Sequence, residues 1–102
     1  MRSYTFNETI WKYHGDNAWY FITLPIEIAD EIKALSSLHL LARRGFGSLR
    51  VSVIIANSNW ETSIFPDSKT GSYLLPLKKA IRTANHLSEG QAIEINLLIL
   101  DL

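Results

Sequence analysis

Lys78 and Arg82 stand four residues apart in a stretch, Leu77 to Leu87, whose spacing predicts a helix. Both therefore project from one face of its first two turns. The free amides of a helix N-terminus would favour an anion beside them. Upstream, Trp60, Thr62 and Ser63 fall in a stretch patterned as a strand and offer a flat ring and two hydroxyl donors. If the helix faces that strand, these five residues make a small anion-binding cleft with an aromatic wall. The plainer reading is a solvated helix face in which Lys78, Lys79 and Arg82 cap the carboxylates of Glu61 or Asp67, and on sequence alone it weighs more.

The other candidates lead to less. His14 falls in a predicted turn, His39 in an irregular segment and His86 at the end of the second helix. None has a partner histidine at i+2 or i+4, so no metal is expected; His86 would suit a helix C-terminus. Glu61 could serve as a general base if buried, but on a strand it points away from Trp60 and Thr62. Ser63, His86 and Asp67 can be drawn as a triad, yet no Gly-x-Ser-x-Gly turn supports it. Arg43-Arg44 with Arg50 surrounds Gly45-Phe46-Gly47, which lacks the Gly-Lys-Ser/Thr ending of a phosphate loop. Phe46 there reads better as a plug at a barrel end. No catalytic residue is assigned, and no cofactor is expected.

Composition bounds the rest. With 102 residues the chain suits one domain, expected over 1–102. Its 47% hydrophobic content and zero net charge exclude a disordered chain. The absence of Cys rules out a disulfide framework, a zinc ribbon and a thiol nucleophile. Ten Lys and Arg balance ten Asp and Glu, which argues against nucleic acid as a partner. The first residues include no apolar stretch, so no leader is expected, and the longest apolar run, Ile95 to Leu100 with Asn96 interrupting it, falls well short of the roughly 20 residues that span a bilayer. A cytoplasmic protein with no membrane partner is expected.

The elements that must position the candidate residues follow from periodicity. A strand is predicted over 3–13, with Tyr4, Phe6, Glu8 and Ile10 on one face and Trp11 and Tyr13 on the other. His14-Gly15-Asp16-Asn17 predicts a hairpin turn, and Ala18 to Leu24 a second strand. Pro25 then suits a helix N1 position, and Ile28, Ile32 and Leu35 recur at helical spacing until Ser36-Ser37 weakens the pattern. Residues 38–48 read as irregular. A β-branched strand is expected from Leu49 to Ala56, a turn at Asn57-Ser58-Asn59, a strand from Trp60 to Phe65, a turn over 66–71 and a strand from Ser72 to Leu75. The second helix follows Pro76, with Leu77, Ala80, Ile81 and Ala84 inward, and Gln91 to Leu100 is the last strand.

These elements repeat. Leu24-Pro25 and Leu75-Pro76 lie 51 residues apart, half the chain, and Ala29 and Ala80 hold the same offset from them. Two ββαβ halves suggest a mainly β, α+β fold: a small β-barrel of about six strands with two short helices and a pseudo-two-fold axis.

The residues also resemble a known family. Tyr4-x-Phe6, Trp11, Ala18-Trp19-x-Phe21-x-x-Leu24-Pro25 and Arg44-Gly45-Phe46-Gly47-Ser48-Leu49-Arg50-Val51 are similar to domain of unknown function 1905. So is the series Trp60-x-Thr62-Ser63-x-Phe65-Pro66, Gly71-x-Tyr73-x-Leu75-Pro76-x-Lys78-x-x-x-Arg82 and Gly90. Where that family usually has Gly, this chain has Asn57, which tolerates the same positive φ. The resemblance implies a small split β-barrel, similar in outline to the barrels of bacterial transition-state regulators and antitoxins, and a bacterial source; it brings no established activity with it. It places residues at the Lys78 and Arg82 positions, which keeps them ahead of other candidates.

Three functions fit the sequence. A non-enzymatic module that binds a small anionic ligand or a protein is preferred; a small enzyme acting on an anionic substrate is the alternative. A DNA-binding regulator, by analogy with similar barrels, is the third.

Overall fold

In β4 (Leu49–Ile55) every second side chain, Leu49, Val51, Val53 and Ile55, is buried, so its alternation fixes one face against the core. Ile95, Leu97 and Ile99 do the same in β7 (Ala92–Ile99). The computed structural model describes residues 2–15, 18–38 and 47–102. Its remaining elements are β1 (Arg2–Thr9), β2 (Trp11–His14), β3 (Ala18–Thr23), α1 (Ile26–Leu38), β5 (Ser58–Asp67), β6 (Ser72–Pro76) and α2 (Lys79–Ala84). His39 and the Arg43-Arg44-Gly45-Phe46 cluster lie outside the described residues.

All the strand pairs are antiparallel, in the order β1-β7-β4-β5-β6-β3-β2. The result is a curled sheet, a split barrel with two helices. Among the described residues there are seven strands, one more than expected, because the predicted strand 3–13 breaks at Ile10. That buried residue still exchanges backbone hydrogen bonds with the last strand's entry: its N–H donates to the Gln91 carbonyl, and its carbonyl accepts from Gly90. The chain then leaves β7 and pairs with β3. β5 changes partner in the same way, pairing with β4 as far as Ile64 and with β6 from Phe65 onward.

The two-fold repeat can be read from the ladders. Exchanging β1/β2 with β5, β3 with β6 and β4 with β7 turns β1–β7 into β5–β4, and β2–β3 into β5–β6. The β4–β7 and β3–β6 ladders map onto themselves. The helices are two residues out of step with the Leu-Pro pairs, however. The Pro25 carbonyl accepts from Ile28 and Ala29, which makes Pro25 the cap of α1 rather than its first turn. The matching carbonyl in α2 is that of Lys78, which accepts from Ile81 and Arg82. Arg82, not Ala80, therefore corresponds to Ala29.

The cause lies in the sheet. Leu77 N–H still donates to the Tyr20 carbonyl of β3, so the chain stays extended through Lys78 (φ −68°, ψ 158°). α2 is thus shorter than the predicted 77–87, and Ala80 and Ala84, expected inward, are exposed. It ends with Leu87 N–H bonded to the Arg82 carbonyl and His86 N–H to that of Thr83, a Schellman pair that puts His86 at φ 53°. In contrast α1 runs on through Ser36, which is buried at the i+7 position from fully buried Ala29. In the two-residue β4–β5 turn the positive φ falls on Ala56 (52°) rather than on Asn57.

α1 is tied down at both sides. Lys33 Nζ donates to the Gly71 carbonyl, and Tyr4 Oη donates to Glu31 Oε1 at 3.0 Å. Burial, reinforced by the Glu31 carboxylate, pushes the Tyr4 phenol from 10.0 to about 12. Because the folded value is the higher one, this contribution to stability is whole below pH 10 and is lost as pH rises from 10 to about 12. Phenolate absorbance should therefore show a step near pH 12. Tyr4→Phe should remove that step and flatten the fall in stability across the same window; an unchanged titration would contradict the assignment.

Candidate functional site

Tyr20 of β3 is half-buried and packs on the core, so its ring is fixed. Arg82 lies over that ring, with the guanidinium carbon 3.9 Å from the centroid, and its Nε donates to the Leu77 carbonyl at 3.1 Å. Stacking and one hydrogen bond thus hold the plane of the guanidinium while leaving its outer N–H groups without a partner among the described residues. Lys78, extended and exposed, and Lys79 flank it.

The opposite wall comes from β5. Trp60 and Thr62 stand across from Val53 and Val51 of β4 and share a strand face with buried Ile64. Trp60, Thr62, Tyr20, Lys78, Lys79 and Arg82 line one cleft of about 460 Å³, floored by Pro76 and Leu77 and bordered by Ala18, Trp19 and Glu61. That volume suits a small ligand. Four of the five residues chosen from sequence therefore share the cleft. Ser63 does not line it: strand alternation turns Ser63 away from Thr62, and its Oγ accepts a hydrogen bond from Arg50 Nη1 at 3.3 Å.

The carboxylates expected to cap these cations are engaged elsewhere. Glu61 Oε1 lies 3.8 Å from Arg50 Nη2, and Asp67 accepts from Thr70 Oγ1 and the Lys69 N–H within its own turn. Among the described residues no ion pair involves Lys78, Lys79 or Arg82. Neither Ser63 nor Asp67 bonds to His86 among those residues; His14 approaches Glu89 at 3.9 Å. α2 has six residues, so the local positive charge is carried by side chains rather than by a long helix dipole.

Asn85 holds α2 against this wall. Its Nδ2 donates to the Ile81 carbonyl and to Ser58 Oγ (2.7 Å), while its Oδ1 accepts from Asn57 N–H.

Sequence reasoning missed Tyr20, whose place was visible only as an alternate residue in an aromatic strand. It also missed a second feature on the other face of β3. Trp11 pairs with Phe21 and Tyr13 with Trp19, giving two aromatic rungs on one side of the β2–β3 ribbon. The Trp11 and Phe21 centroids are 5.1 Å apart, those of Trp19 and Phe21 6.1 Å, and Trp11 Nε1 donates to Thr23 Oγ1 at 2.9 Å. These rings, with Leu74 and the turn residues Asp67, Lys69 and Thr70, line an open groove of about 1010 Å³. The period-2 pattern of 11, 13, 19, 21 and 23 carried the signal.

Replacing Asn85 by Ala should cost about 1–3 kcal/mol by removing its bonds to two elements, a fall in Tm of roughly 4 °C or more. Thermal unfolding that is unchanged would show that Asn85 does not fasten α2.

One family model, described as a domain of unknown function (DUF1905), matches residues 6–97. No curated protein matches the chain.

Proposed function

The chain belongs to the DUF1905 family, and we propose that it is a non-enzymatic binding module whose cleft between β3, β5 and α2 takes a small anion. One observation carries the reading: Arg82 is stacked on Tyr20 with its outer donors unengaged, beside Lys78 and Lys79, and no carboxylate among the described residues neutralises them. A guanidinium fixed in plane presents paired donors that match a carboxylate or phosphate edge. Thr62 adds a hydroxyl donor, and Trp60 adds an apolar wall.

Binding is favoured over catalysis because the carboxylate that borders the cleft, Glu61, pairs with Arg50. The proposal keeps the bacterial, cytoplasmic setting expected from sequence. No helix among the described residues is long and apolar enough to cross a membrane.

Thermal unfolding with inorganic phosphate, pyrophosphate and citrate, against chloride at matched ionic strength, tests this. A ligand near a hundred times its Kd stabilises the native state by about 2.7 kcal/mol, which a domain of this size reads as a Tm rise of roughly 10 °C or more. At least one anion should raise Tm in the wild type, and Arg82→Ala should lose the rise. An equal rise in Arg82→Ala, or none in the wild type with any of the three, would remove the reading.

A further inference from the structure

The aromatic groove on the outer face of β2 and β3 has no role in the core, yet it is built with care. Trp19 and Tyr13 are 55% and 53% exposed, an unusual use of large rings on a small protein surface. Their orientations are set. Phe21 sits between Trp11 and Trp19, and the Trp11 indole is locked by Thr23. The Tyr13 ring lies so close over Gly15 that a Cβ at that position would collide with it. Rings held in this way lose little freedom when a flat partner settles on them.

Trp19 also borders the cationic cleft, so ledge and cleft meet at one residue. We infer that together they bind a short single-stranded nucleic acid, with bases stacked on the Trp11/Phe21 and Tyr13/Trp19 rungs and phosphates drawn to Lys78, Lys79 and Arg82. The inference rests on the reading of the cleft as an anion site. Aromatic rings open to solvent beside a cationic track are the chemistry that sequence-tolerant single-strand binding requires. Successive rungs are two residues apart, about 6.8 Å along the strand. That is about twice the 3.4 Å rise per base of a duplex strand, so the ledge suits bases already unstacked. Zero net charge, which argues against a broad duplex-binding face, does not oppose it: three clustered cations serve a few phosphates. A proline-rich peptide could also lie on aromatic rungs, but it would leave those three cations unused.

The test is fluorescence anisotropy with a labelled oligothymidylate of about eight nucleotides, alongside the thermal response to pyrophosphate. Wild type should bind the oligonucleotide, with a log–log salt slope of about −2 from three phosphate contacts on a single strand. Tyr13→Ala and Trp19→Ala should each weaken binding by about tenfold. Tyr13 does not border the cleft, so Tyr13→Ala should keep the pyrophosphate response. Lys78→Ala should flatten the salt slope by about 0.7. If pyrophosphate stabilises the wild type through Arg82 but the oligonucleotide does not bind, this inference falls and the anion cleft stands. Failure of both ligands removes both. Oligonucleotide binding undiminished by Tyr13→Ala and Trp19→Ala overturns the stacking ledge, as does Trp19-dependent binding of a proline-rich peptide without oligonucleotide binding.

Discussion

Among the described residues, four ladders that neither half can make alone hold this protein together, and two of them are central. β4 pairs with β7 through Val51↔Ile99 and Val53↔Leu97, all four nearly inaccessible, and β3 pairs with β6 through Ile22↔Leu75, both fully buried. Each of these two lies on the pseudo-two-fold axis and joins one half to the other, so neither half has a finished core by itself. The β3–β6 ladder also decides where the second helix starts. Leu77 remains bonded to Tyr20, the helix is postponed to Lys79, and Arg82 is delivered onto the ring of the same Tyr20. The cleft is thus a consequence of the pairing that completes the barrel.

β3 serves two surfaces by strand alternation. Its even residues, Tyr20 and Ile22, face the core and the cleft; its odd residues, Trp19, Phe21 and Thr23, face the aromatic groove. A cation track and a ring ledge therefore take alternate positions of β3 and meet at Trp19, which borders both.

Much of this was legible in the sequence. Alternating Val and Ile in β4, the turn at Gly71 and the order of the elements gave the barrel and its two halves, because period and turn chemistry are local properties. Trp60 and Thr62 could be paired from strand spacing; Lys78 and Arg82 were paired by helical spacing, although Lys78 is the extended residue that precedes α2. What escaped was non-local. That Leu77 would be held by Tyr20, shortening α2 and exposing Ala80 and Ala84, depends on register between distant strands. The break at Ile10 depends on where a continuous strand must change sheets. Ser63 was grouped with Thr62 although adjacent strand residues face opposite ways, a limit that alternation itself imposes. The cross-strand pairing of Trp11 with Phe21, and so the groove, needed the hairpin register.

The equivalence of Ala29 and Arg82 divides labour between the helices. At one copy of the position a small side chain is fully buried, within a helix of 13 residues whose Ile32 is also inaccessible. At the other copy a cation rests on an aromatic ring at the edge of a helix of six residues that buries Ile81 alone. α1 thus draws on the cohesion of the whole core, whereas α2 is held by a few hydrogen bonds and one stacked ring. A short helix with so little buried surface belongs among the segments that open at low free energy while the rest of the barrel stays closed. The fold has placed Lys79 and Arg82 on its shorter helix, so the wall carrying these cations is the one whose local opening would leave the barrel closed.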